Sequence, residues 1–268
     1  MKKIVFIDVD GTLVLDNQSI LDSTVKACVE ARKNGHLLFL CTGRSKAELF
    51  DNILEIGFDG LICAGGGYTE IEGKTLFHKR VSEDDVRRIV DYFHGNEVDF
   101  YIESNGGLYA SENCVAHLMK RLHIQRKEDH PFLEALIEGE DLYRKDVNKI
   151  CFLEPNKIDF HTIQERFKGS FEVLHCTVPV FGENSGELAV KGVSKENAIR
   201  EVIKALDMKQ EQTMAIGDGL NDIDMITYCA IGIAMGNAEE GLKEVSDDVS
   251  ASIEEDGLYK AFEKYQLI

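Results

Sequence analysis

The segment FIDVDGTLV, residues 6–14, places two aspartates, Asp8 and Asp10, two positions apart at the end of an apolar run and follows them at once with Gly11-Thr12. Residues 3–7 read as a buried strand, and side chains alternate along an extended chain, so Asp8 and Asp10 leave it on the same side. Adjacent carboxylates repel, and a cation or a shared proton is the usual resolution. Asp10-Gly11 is also an ordinary turn signal, so the pair by itself does not decide between a turn and a site.

Outward from this strand, residues 23–33 have the pattern of a helix closed by Asn34-Gly35, and residues 36–41 that of a second strand. Ser45-Lys46-Ala47-Glu48 is a capping-box pattern opening a helix toward Leu54, and residues 60–64 form a third short strand. This β-α-β-α-β order predicts an α/β fold, a parallel sheet with helices on its faces. After Gly65-Gly66-Gly67 the rhythm changes. Helix-like segments (83–94, 115–123, 159–167) then mix with strand-like ones (99–103, 108–110, 149–153, 172–174, 178–181), as in an inserted α+β domain. From Ser194 the first rhythm returns with helix 195–206, strand 213–216, helix 221–228, strand 231–234 and helices near 239–245 and 258–265. The expected division is therefore 1–81 and 187–268 for a core in two segments, and 82–186 for the insertion.

The chain has 268 residues, 44% of them hydrophobic, and a formal net charge of −18. That charge argues against nucleic acid or an anionic membrane as partner, and an anionic substrate would need a local device to hold it. No apolar run is long enough to span a bilayer, and Met-Lys-Lys leads straight into a strand, so a cytoplasmic protein is expected. Seven scattered cysteines without a C-x-x-C spacing point to a reducing compartment rather than to disulfides or a zinc site. Cys41 reads as a small buried strand residue.

In an open α/β sheet, ligands bind beyond the carboxyl ends of the strands. The groups at such ends are Asp8 and Asp10, then Thr42-Gly43-Arg44, then Gly217-Asp218-Gly219-Leu220-Asn221-Asp222, joined by the lysines of Lys191-Gly192-Val193-Ser194-Lys195 before a helix. Helix capping would account for one of Asp218, Asn221 and Asp222, but three oxygen-bearing side chains beside two glycines suit a hard cation held jointly with Asp8. The loop fails as a calcium-binding loop, with Ile223 inside the acidic run and no closing glutamate. Thr42 supplies a hydroxyl and nearby amides, and Lys195 a cationic donor in the first turn of a helix, as a bound phosphate requires. Lys191 is the competing cation.

Taken together and in this order, Asp8-Val9-Asp10-Gly11-Thr12, Thr42-Gly43-Arg44, Val193-Ser194-Lys195 and Gly217 to Asp222 resemble the haloacid dehalogenase superfamily. The long insertion, with Ala234-Met235-Gly236-Asn237-Ala238 and Glu255-Asp256-Gly257, is similar to its Cof-type (class IIB cap) sugar phosphatases. The resemblance implies a Rossmann-like three-layer core with the insertion as a cap, and a Mg²⁺-dependent phosphatase of small phosphate esters. It implies that Asp8 is the nucleophile, forming an aspartyl-phosphate, and that Asp10 is the general acid and then the base. Thr42, Gly43, Lys195 and Asn221 would hold the phosphoryl group. Asp8, the backbone carbonyl of Asp10 and Asp218 would bind Mg²⁺, with Asp222 in support. One departure is the run Ala64-Gly65-Gly66-Gly67, where such relatives carry Asn-Gly, so no substrate contact is carried over from that position.

Three other readings stay open at this stage. A phosphomutase would return the phosphoryl group to a sugar hydroxyl instead of water. A receiver-type signalling module would keep phosphate on aspartate, though Asp10 as a proton shuttle and the large insertion argue against it. A binding protein on the same scaffold is disfavoured because every motif carboxylate and the lysine are present. Tyr101, Glu103, Asn105, Arg121, His123 and Lys149 are candidates for substrate selection in the insertion.

Overall fold

A computed structural model describes residues 2–15, 18–176 and 179–268. Its strands, in chain order, are β1 (Ile4–Ile7), β2 (Leu37–Cys41), β3 (Gly60–Cys63), β4 (Tyr68–Ile71), β5 (Lys74–His78), β6 (Phe100–Ser104), β7 (Leu108–Ala110), β8 (Leu136–Ile137), β9 (Val147–Phe152), β10 (Phe171–His175), β11 (Gly186–Val190), β12 (Thr213–Gly217), β13 (Gly232–Ala234) and β14 (Asp248–Val249). The chain divides into two units: residues 1–44, 49–78 and 194–268 form the first, and residues 45–48 and 79–193 the second.

The first unit holds a sheet in the order β14-β13-β12-β1-β2-β3-β4-β5, parallel from β14 through β3 and closed by the antiparallel β3-β4-β5 meander. The run Ile-Val-Phe-Ile of β1 is buried on both faces because helices cover both. Val5 and Ile7 face one apolar layer with the helices Asp22–Lys33 and Gly257–Lys264. Ile4 and Phe6 face the other, with the helix Lys195–Ala205. In this two-sided core each fully buried Ile or Phe is worth roughly 1.5–3 kcal/mol. The β1–β12 register sets Ile7 opposite Ile216, so Asp8 and Gly217-Asp218 emerge side by side.

The second unit holds a sheet in the order β10-β11-β9-β6-β7-β8, antiparallel except for β7 with β8. Helices Glu83–Gly95 and Phe160–Phe167 cover one face through Val86, Phe93 and Ile163. Helix Cys114–Leu122 packs with Tyr101, Cys151 and Leu153 on the other.

The structure revises several sequence expectations. The boundary drawn at 186/187 would cut β11, which pairs with both β9 and β10 and so belongs with the second unit. The helix expected from Ser45 toward Leu54 is two short pieces, a 3₁₀ turn Lys46–Glu48 and a helix Asp51–Leu54. Only half of the capping box forms. Glu48 Oε2 accepts the Ser45 amide at 2.8 Å, but the Ser45 hydroxyl donates instead to Glu103 Oε2 at 2.9 Å. The β4–β5 hairpin and β11 lie where no strand is expected. Of the strand expected over 178–181, Val178 is outside the described residues and Pro179–Phe181 is a 3₁₀ turn.

Candidate active site

Asp8 follows β1, donates its amide to the Ile216 carbonyl at 2.9 Å and is 5% exposed. After it the chain folds back on itself, with Leu13 and Val14 amides both bonded to the Val9 carbonyl and the Gly11 amide to the Val14 carbonyl. Gly11 sits at φ +75°, and a Cβ there would come within 2.2 Å of Asp218 Oδ2, so glycine is required on two counts. Thr12, fully buried, donates its hydroxyl to Asp218 Oδ1 at 2.8 Å. The Asn237 side chain holds this loop from the far side, donating to the Gly11 carbonyl at 2.8 Å.

Lys195 opens the helix Lys195–Ala205, whose cap is Ser194. Its Nζ donates to Asp8 Oδ1 at 2.6 Å and to Asp222 Oδ1, and its side chain is only 2% exposed. Lys191, by contrast, is exposed and lies in the second unit. The other Asp222 oxygen accepts the amides of Asp218 and Gly219 at 3.1 and 3.0 Å. Both oxygens of Asp222 are thus engaged, one on the lysine and one on the loop.

Asp8, Asp218 and Asp222 each offer a carboxylate oxygen within 4.8 Å of the others. Burial, reinforced by the Asp222 carboxylate and opposed by Lys195, pushes the Asp8 carboxyl well above the usual range. Burial pushes Asp218 up to about 6, against the Thr12 hydrogen bond that favours its charge. Burial disfavours the Lys195 ammonium, but Asp222 and Asp8 outweigh it and hold the group charged. Three carboxylates against one ammonium leave this dry corner short of positive charge.

Thr42 ends β2, is 1% exposed and accepts the Arg44 amide on its hydroxyl at 3.1 Å. Asn221 is exposed, and its Nδ2 lies 3.9 Å from where a Cβ on Gly43 would sit, so the two loops meet there. Asp10 is the outlier. Its side chain is 58% exposed and is held by Arg44 rather than by the acidic cluster. The glycine run after β3 has a structural cause: Gly66 is at φ +105°, and a Cβ there would come within 2.2 Å of the Ser194 carbonyl oxygen, directly before Lys195.

A family model described as haloacid dehalogenase-like hydrolase matches residues 5–262. The chain belongs to that family. Among curated relatives, YkrA of Bacillus subtilis (strain 168) is 27% identical over 272 residues, covering 99% of this chain and 98% of YkrA. The 5-amino-6-(5-phospho-D-ribitylamino)uracil phosphatase YcsE of the same organism is 26% identical over 272 residues, covering 99% and 96%. A solved structure described as a subclass IIB sugar phosphatase is 27% identical, with both chains covered in full and a TM-score of 0.75. This haloacid dehalogenase-like hydrolase is thus of the Cof type, a phosphoric monoester hydrolase with an α/β core and an inserted second unit.

In that second unit of the hydrolase, the candidates for substrate selection separate. Tyr101 packs between the rings of Phe132 and Phe181. Glu103, 1% exposed, accepts the Ser45 hydroxyl and the Cys151 thiol and faces Lys149 Nζ at 3.5 Å, which also pairs with Glu187 at 2.7 Å. Burial and the Glu103 carboxylate push the Glu48 carboxyl well above the usual range. Asn105 accepts from Asn148 at 3.0 Å beside the same group. Arg121 pairs instead with Glu154 at 3.2 Å, and His123 closes a helix at φ +57°. Ser45 and Glu48 are the members that sequence reasoning missed, because their helix-cap spacing gave them a local explanation.

Proposed function

We propose that this hydrolase cleaves small phosphate monoesters with Mg²⁺, through an aspartyl-phosphate on Asp8, in the cytoplasm. The observation that carries the reading is the Asp8–Lys195–Asp222 chain with Asp218 alongside, at the carboxyl ends of β1 and β12. The seven scattered cysteines, without a C-x-x-C spacing, are in keeping with a reducing compartment.

The residues fit a magnesium ion. The donors are all oxygen, as a hard cation prefers, and the three carboxylates face only the one ammonium of Lys195. Lys195 occupies one oxygen of Asp8 and Thr12 one oxygen of Asp218, so the second oxygen of each is what a cation would take. The glycine at position 11 keeps the space beside Asp218 Oδ2 open. When bound, Mg²⁺ neutralises phosphoryl charge and favours the ionised nucleophile.

The protein's own groups divide the remaining work. Lys195 orients the Asp8 carboxylate and presents a fixed ammonium to the transferring phosphoryl oxygens, where charge is stabilised without reorganisation. Thr42, with the Gly43 backbone and Asn221, supplies donors on the opposite loops. Asp10 protonates the departing alkoxide and then takes a proton from water, help typically worth about 10² to 10⁴ in rate. Sugar phosphates and phosphorylated cofactor precursors are the substrate classes supported by the relatives' names.

The test is phosphate release from p-nitrophenyl phosphate, with Mg²⁺ and with EDTA. Release that requires Mg²⁺ is expected. Asp218 must be ionised to bind the ion, so the Mg²⁺ concentration for half-maximal rate should climb as pH falls through about 6. Undiminished release in EDTA would contradict the reading.

A further inference from the structure

Asp10 is the one proposed reacting group that the buried cluster does not hold. With its side chain 58% exposed, it would sample several rotamers if nothing fixed it. Arg44 fixes it. Arg44 Nη2 donates to Asp10 Oδ1 at 2.5 Å and Arg44 Nε to Oδ2 at 2.9 Å, a two-pronged pairing that sets the plane of the carboxylate as well as its place.

The arm that does this is itself rigid. The Arg44 side chain is 12% exposed, and its Nη2 also donates to Gln18 Oε1 at 2.8 Å. Its backbone is pinned on both sides, the amide on the Thr42 hydroxyl at 3.1 Å and the carbonyl under the Ala64 amide at 2.7 Å. The position therefore runs from Thr42, a proposed phosphate contact, through a fixed backbone to the carboxylate of the proposed proton carrier.

From this geometry we infer that Arg44 is the positioning residue for Asp10, aiming its carboxyl at the leaving oxygen. The inference rests on the reading of Asp10 as general acid. A carboxylate has about four acceptor sites, and the two that Arg44 takes leave others for the travelling proton. Arginine suits the task and lysine does not, because a point charge cannot fix the carboxylate plane.

The experiment measures kcat/KM for a series of para-substituted phenyl phosphates, from nitro to methoxy, for the wild type, Arg44→Lys, Asp10→Asn and the double variant. This parameter covers steps only up to departure of the phenol, so the later hydrolysis common to all substrates drops out. A nitrophenolate leaves with little help, whereas a methoxyphenolate needs a proton. Arg44→Lys should lose about 100-fold at the methoxy end and less than about 10-fold at the nitro end. Asp10→Asn should show the same or a steeper split, and the double variant should fall no further than Asp10→Asn.

Equal losses by Arg44→Lys across the series, or none, would overturn the inference while a split in Asp10→Asn upheld the acid. A flat series for Asp10→Asn would overturn the acid assignment and the inference together. Thermal melts of all four proteins separate loss of fold from loss of aim.

Discussion

Asp8→Asn is expected to abolish turnover while leaving the fold at least as stable as the wild type. The substitution keeps shape and replaces a nucleophilic oxygen by an amide, so the covalent route closes and kcat should drop by about 10³-fold or more. The stability expectation follows from the sign of the Asp8 shift. Burial and Asp222 hold its carboxyl above the unfolded value, so the ionised form costs folding free energy at neutral pH. A neutral amide removes that cost. Phosphate release and thermal melting in EDTA check both halves, and a variant that is inactive because it is unfolded would contradict the account.

Lys195→Met is expected to lose stability as well as turnover. Methionine keeps most of the stem, but Asp8 and Asp222 then lack their shared ammonium inside a nearly dry site. Removing one partner of a buried ion pair costs about 3–5 kcal/mol. The Asp8 carboxyl, already raised, would rise further. The folded variant would then keep a proton that the unfolded chain gives up, and its stability falls as pH rises between the two pKa values. Urea denaturation at pH 5 and pH 8 should therefore show the larger deficit at pH 8. An equal deficit at both would mean that packing, not charge, is what Lys195 supplies. One variant is thus inactive and stable, the other inactive and weakened, although their side chains touch.

The core, and the meeting of three of its four motifs, could be read from the chain because Asp8, Thr42 and Asp218 each follow an apolar run with the pattern of a buried strand. Asp8, Thr42 and Asp218 lie at the ends of β1, β2 and β12, and parallel pairing brings the three ends together. Of the two candidate cations, Lys195 in the first helical turn is buried and Lys191 is exposed.

What escaped the sequence is whatever tertiary partners redirect. Ser45 has the spacing of a helix cap, yet its hydroxyl serves Glu103, fifty-eight positions away, and the helix breaks into two pieces. The strand β11 lies behind the Asn184-Ser185-Gly186 turn signal and draws its pairing from β9 and β10. Arg44 stood in a recognised motif but had no role until its fork was seen on Asp10. Of the glycines at 65–67, Gly66 is explained by its close approach to Ser194.

The covalent role of Asp8 is the centre of the account, and trapping the intermediate tests it most directly. The wild-type protein would be mixed with Mg²⁺ and excess phosphate ester, quenched in acid within the first turnovers and digested for mass analysis. The peptide containing Asp8 is expected to carry the mass of one phosphoryl group in a form cleaved by hydroxylamine, and Asp8→Asn to carry none. Turnover accompanied by no label on Asp8, or by label on a different residue, would contradict the account.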